Sequence, residues 1–291
     1  MRGRLVPAIL FIVTIFTTLF AGALMQFLTP ADILSNPAKL LRGASFGVPL
    51  MAILLTHEMG HFISGKIHSV KSTLPYFIPF PNYIGTFGAV IKMKSPMRDR
   101  RALMDIGAAG PLAGFALSLI ACSWGITHFQ TIPLGRVPEW GFWNPRISFG
   151  PNLAITGLLR LFDVHLRPGI LYVSPLFDAG WLGMFVTSLN LLPAGQLDGG
   201  HISYAMLGET GARRLARLVV VLLFPLGVLG FVWDGMWIGW AVWGVLIIAI
   251  GLSHPPPMYP DVKLDPLRKM VGLASLIVFI ITFTPMPFQP F

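Results

Sequence analysis

"ASFGVPLMAILLTHEMGHFIS", residues 44–64, is apolar for long enough to cross a bilayer, yet it carries two histidines and a glutamate near its end. A membrane helix takes about 20 mostly apolar residues, and ionisable groups inside one are costly enough to mark a functional site. The rest of the chain has the same character. Of its 291 residues 54% are hydrophobic and only 11% charged, and the mean hydropathy is +0.72. That leaves too little polar surface to cover a water-soluble globule. The expected fold is therefore an all-α polytopic membrane protein.

Working outward, seven segments read as membrane helices, near 5–27, 44–64, 103–127, 170–192, 215–233, 236–253 and 270–287. The first follows Arg2 and Arg4, and its uncharged stretch is longer than a signal-peptide core, so a retained helix is expected. With the N-terminus inside and the helices alternating, fifteen Lys and Arg fall inside and six outside. That asymmetry fits the positive-inside rule. The outer six include Arg136 and Arg146. Residues 150–162 contain "NLAITGLLRLF", which reads as an interfacial or re-entrant helix; a crossing there would invert everything after it. Tryptophans around 233–243 suggest an interfacial belt.

The net charge of +9 lies in short clusters between apolar runs with no basic face, which argues against nucleic acid as a partner. The single cysteine, Cys122, excludes an intrachain disulfide. Three regions are expected: residues 1–43 as an N-terminal transmembrane helix and loop, 44–207 as the core that carries the chemistry, and 208–291 as C-terminal transmembrane helices.

His57 and His61, four apart, project from one helix face and can hold one Zn²⁺ between them. Glu58 is placed to reach a water beside such an ion. In this H-E-x-x-H arrangement the metal acidifies the water and the carboxylate takes its proton. An ion-conducting role would leave Glu58 without a purpose. Catalytic zinc takes three protein ligands, and no further His or Glu follows close downstream in a suitable place. The best candidate is distant. Residues 190–201 read "NLLPAGQLDGGH", where Pro193 and Gly195 should break a helix and Gly199-Gly200 should let the chain bend Asp198 towards a metal. On the alternating topology Asp198 and the histidines lie at the same depth.

With both motifs in view, the sequence resembles the site-2 protease family of intramembrane zinc metalloproteases. That family pairs H-E-x-x-H with an N-x-x-P-x-x-x-x-D-G motif, matched by Asn190, Pro193, Asp198 and Gly199. "LPYFIPFPNYIGTFGAVIKMKS" (74–95), "AGPLAGF" (109–115) and "AGWLGMFVTSLNLLPAGQLDGG" (179–200) look like its chloroplast and cyanobacterial branch, without the PDZ or CBS domains of others. The resemblance implies one zinc per chain held by His57, His61 and Asp198. It also implies Glu58 as general acid and base, and Asn190 as a group that positions substrate or stabilises the oxyanion. Its implied partners are substrate helices in the lipid bilayer, cut after a first cleavage by another protease. The implied location is a prokaryotic cell membrane, with the active site towards the cytoplasm.

Residues 74–95 have a physical reading of their own. Alternation in Val90-Ile91-Lys92-Met93-Lys94 indicates a strand and Pro81-Asn82 a turn, so a small re-entrant or membrane-associated β-hairpin is expected. A strand edge beside the zinc can pair with an unwound substrate. Gly107, Gly110 and Gly114 are expected to let the third helix approach the zinc helix closely. Asp178 is placed at the opposite end of its span from Asp198, and His201 is expected to cap or pack. His68, His128, His165 and His254 fall in loops and are assigned no role.

Overall fold

The computed structural model describes residues 2–134, 147–232 and 237–290; Arg136, Arg146 and Trp233 of the topology reading lie outside them. The elements in chain order begin with α1 (Arg2–Met25), α2 (Pro30–Ser35), a 3-10 turn (Pro37–Gly43) and α3 (Ala44–Ile67). The hairpin β1 (Tyr76–Pro79) and β2 (Thr86–Val90) follows, then α4 (Arg100–Ile126). Next come β3 (Gln130–Pro133), β4 (Ile147–Phe149), α5 (Leu153–Leu161), β5 (Ile170–Val173) and α6 (Pro175–Asn190). The chain continues with α7 (Asp198–Val232), α8 (Gly239–Ile250), α9 (Pro266–Thr282) and β6 (Phe288–Pro290).

The protein is integral to the membrane. Among the described residues four helical stretches are long and apolar enough to cross: Leu5–Met25, Pro37–Ile67, Arg100–Ile126 and Asp198–Val232. The other three segments read as spans form shorter helices, α6 of 16 residues, α8 of 12 and α9 of 17. The first five residues of the 170–192 segment are not helix: Ile170–Val173 pair antiparallel with Gln130–Pro133, and the Ser174 side chain caps α6. The fifth segment starts earlier than expected, at Asp198, with a break at Gly208 (φ 72°) that divides α7 in two. α5 has nine residues, about 14 Å at 1.5 Å per residue, so it does not cross. The ends of the bundle sort accordingly. Tyr259 and Met258, before α9, bond to the backbone of Arg98 and Met97, before α4, while β6, after α9, pairs with β4, after α4.

Helices without water between them associate through close packing of small residues. α1 and α3 cross where Gly43 and Gly47 meet the backbone of Thr18 and Leu19; a Cβ on Gly43 would lie 1.8 Å from the Leu19 carbonyl oxygen. The Thr14 and Thr18 hydroxyls are fully buried in α1 and donate to carbonyls one turn back. The hairpin is present, but its second strand lies four residues earlier than read. β2 is Thr86–Val90, and residues 92–94 pair with 71–73 only through an isolated antiparallel bridge, Ser72 to Met93, with backbone bonds from Thr73 to Lys92 and from Lys94 to Lys71. Its tip is set by Asn82, whose Oδ1 accepts from the Ile84 and Gly85 amides, and by Gly85 at φ 84°. A Cβ on Gly85 would stand 2.4 Å from the Thr17 carbonyl oxygen, so the tip lies against the middle of α1. Phe77, fully buried, meets Phe11 edge-on at 5.0 Å.

Candidate metal centre

α3 brings His57, Glu58 and His61 to its buried side, each between 4% and 6% exposed. Their spacing of four sets the two imidazoles together, with Nε2 atoms 3.1 Å apart. His61 Nδ1 lies 2.7 Å from the carbonyl oxygen of Ile106 on α4. A carbonyl only accepts, so Nδ1 carries the hydrogen and Nε2 turns its lone pair to the centre. Asp198 supplies the third group. Its Oδ2 is 3.4 Å from His57 Nε2 and 3.2 Å from His61 Nε2.

This triangle can be tested against a metal. A tetrahedral zinc with bonds of about 2.0–2.1 Å holds its ligand atoms about 3.3–3.4 Å apart. The three observed edges of 3.1, 3.2 and 3.4 Å fit, so His57, His61 and Asp198 can hold zinc together.

The chain reaches this arrangement by breaking a helix. α6 ends at Asn190, residues 191–197 fold into tight turns, and α7 begins at Asp198. Gly195 takes φ 54° there, with its α-carbon against the Gly251 carbonyl. Gly199 and Gly200 act differently from expectation. Both sit inside α7 in ordinary helical backbone, and what they supply is clearance: added Cβ atoms would lie 2.1 Å from the Leu191 carbonyl oxygen and 2.2 Å from that of Gly195. The pair lets α7 start against the turn that precedes it.

Glu58 is not among the three clustered ligand groups, and its carboxylate lies near the backbone N–H of Ile91, just past β2. Asn190 places Nδ2 3.2 Å from His57 Nε2. The structure thus gathers His57, Glu58, His61, Asn190 and Asp198. The α4 glycines do more than let helices approach. A Cβ on Gly110 would lie 2.1 Å from His61 Nε2, one on Gly114 3.2 Å from His57 Nδ1, and one on Gly107 2.8 Å from the His201 Cβ. Gly110 and Gly114, four residues apart on α4, face the H-E-x-x-H helix as expected, whereas Gly107 does not: it faces the start of α7 at Asp198, His201 and Ile202.

Two further groupings escaped the sequence reading. Arg268 of α9 grips Asp105 of α4 through Nε and Nη2, at 2.6–3.0 Å, and also reaches Asp265; His68 at the end of α3 completes the cluster, 2.8 Å from Asp105. His254 contacts His201 through ring nitrogens 2.5 Å apart, with burial lowering the pKa of His254. Asp178 stands in the first turns of α6, far from Asp198 as expected.

The sequence profile of Peptidase family M50 matches residues 45–231. "Probable zinc metalloprotease EGY2, chloroplastic" of Oryza sativa subsp. indica is 30% identical over 281 residues, covering 95% of this chain and 49% of that protein. "Probable zinc metalloprotease EGY1, chloroplastic" of Arabidopsis thaliana is 33% identical over 248 residues, covering 83% and 42%. The chain thus spans about half the length of the curated relatives it matches.

Proposed function

Because the chain belongs to peptidase family M50, the site-2 protease family its motifs resemble, we propose that it is an intramembrane zinc endopeptidase cutting other membrane proteins within or near their spans. The observation that carries this reading is the His57, His61 and Asp198 triangle with Glu58 beside it. The catalytic core is residues 44–207. Zinc held there supplies Lewis-acid polarisation of a carbonyl and acidification of a water.

The chain's own residues do the rest. Glu58 takes a proton from the attacking water and returns it to the leaving amine. Ile106 fixes the tautomer of His61, and Asn190, beside His57, donates to the substrate carbonyl oxygen as charge builds on it. A helix resists hydrolysis because its carbonyls are already bonded, so the substrate must unwind. The free edge of β2, which leads from Thr86 to the amide beside Glu58, offers strand pairing to the unwound backbone whatever its side chains.

Substrates are membrane proteins already shortened by another protease, which makes unwinding of one end affordable. The centre faces the side that holds the N-terminus. For the membrane itself, the prokaryotic cell membrane read from the sequence has no support from relatives whose names are chloroplastic.

The test is cleavage of tagged single-span peptides in detergent by the wild type and Glu58→Gln, with zinc measured in both. We expect one zinc per chain in each and cleavage by the wild type alone, Glu58→Gln falling by about 10²–10⁴. Absence of zinc from the wild type would refute the reading.

A further inference from the structure

At the end of the bundle away from the zinc triangle lies a cavity of about 690 Å³. Its wall includes Ile84 at the hairpin tip, Phe129 beyond α4, Leu171 on β5, and Phe177 and Trp181 on α6. This volume is within the usual range of a ligand site, and the lining is mostly aromatic and aliphatic. Two charged residues line it: Arg167, and Asp178, which makes no ion pair or side-chain hydrogen bond among the described residues.

Two elements run from this cavity to the candidate metal centre. The hairpin has its tip, Asn82 to Ile84, in the cavity wall and its exit, Ile91, near the Glu58 carboxylate. α6 has Asp178 and Trp181 in the wall and Asn190 on His57. At 1.5 Å per residue, the nine to twelve residues from these two wall positions to Asn190 span about 14–18 Å. An extended chain covers that distance in about four to five residues at 3.3 Å each. β2 itself has five residues.

We propose that the cavity is a substrate-anchoring site: it takes a large apolar side chain of the polypeptide being cut, four to five residues from the scissile bond, while the intervening backbone pairs along β2. The inference rests on the endopeptidase reading and adds to it a selection rule that strand pairing alone does not give. The continuity of the hairpin from cavity to Glu58 is what selects a substrate segment as occupant.

The test uses single-span peptides of leucine and alanine in which one phenylalanine is moved stepwise, with the cut bond mapped by mass spectrometry. We expect kcat/KM about tenfold above the phenylalanine-free peptide at an offset of four to five on one side of the bond, the cut following the phenylalanine as it moves. Leu171→Trp, which fills the cavity, flattens the profile while zinc content and cleavage of the phenylalanine-free peptide stay unchanged. A flat profile in an active wild type overturns the anchoring site and leaves the endopeptidase reading standing; that is the result if only lipid or detergent chains enter the cavity. Should zinc-loaded wild type cut nothing, the endopeptidase reading fails, and fluorescence anisotropy with Glu58→Gln decides the cavity separately. Phenylalanine-dependent affinity that Leu171→Trp abolishes supports it, and affinity independent of phenylalanine overturns it. The peptide series needs no altered enzyme, so a misfolded Leu171→Trp would not protect the inference.

Discussion

Replacing Gly110 by alanine should cost the site its metal before it costs the protein its stability. The new Cβ would stand 2.1 Å from His61 Nε2 and 2.5 Å from Cδ2 and Cε1, where ordinary contact begins at 3.4 Å, so ring or helix must give by about 1.3 Å. There is little slack to absorb it. His61 Nδ1 is tied to Ile106 on α4 itself, and Gly60 already stands with a would-be Cβ 2.6 Å from the Ala109 carbonyl oxygen. A metal site tolerates displacements of about 0.2 Å. Loss of a supporting hydrogen bond typically costs 10–100-fold in metal affinity, so displacing a ligand should cost more than about 100-fold. Backbone propensity works the other way, since alanine inside a helix is favoured over glycine by about 0.5–1 kcal/mol. Zinc affinity by chelator competition, read beside the melting temperature, separates the two. Gly157→Ala, where the added Cβ meets nothing within 4 Å, should keep full affinity. Wild-type zinc affinity in Gly110→Ala would refute the placement of His61 at the metal.

Asp198→Asn keeps the shape of the third group but removes its charge, and should lower zinc affinity by at least about 100-fold in the same competition assay. Arg268→Met strips Asp105 of its paired donors at 2.6–3.0 Å; calorimetry in detergent should show about 1–2 kcal/mol lost, with zinc content unchanged. A peptide N-methylated at alternate backbone amides beside the cut bond should lose cleavage by tenfold or more if the β2 edge pairs with it, and equal cleavage would dismiss the pairing. Chelation should abolish cleavage, and added zinc but not magnesium should restore it, because imidazole nitrogens suit the softer ion.

The parts of this protein legible in its sequence are those where a cost forces a pattern. Charge inside an apolar segment forced attention to His57, Glu58 and His61, and Pro193 with Gly195 forced the helix break before Asp198. The polytopic helical fold and the hairpin followed from apolar length and turn residues. Where the fold depends on partners, the pattern was silent. Ile170–Val173 is as apolar as a helix start, and only pairing with Gln130–Pro133 makes it a strand. The Thr86–Val90 strand carries two glycines' worth of weak propensity around it, and its place is fixed by α1, against which Gly85 stands. Arg268 and Asp105 are 163 residues apart, so no local signal could join them.

The charges at the centre also say which kind of ion suits it. Asp198 and Glu58 are two carboxylates beside two imidazoles, and among the described residues neither makes an ion pair with a lysine or arginine. In a membrane interior an unbalanced pair of carboxylates is far costlier than at a surface. A dication held by two neutral imidazoles and Asp198, with Glu58 ionised alongside, brings the sum to zero; a monovalent ion would leave one charge uncompensated. The donor set then narrows the choice, since imidazole favours zinc over the hard cations that carboxylates and carbonyls bind. The same balance explains why Glu58 stands outside the ligand triangle. As a fourth ligand it would close the site, whereas beside the triangle it offsets the ion's remaining charge and keeps a lone pair for proton transfer.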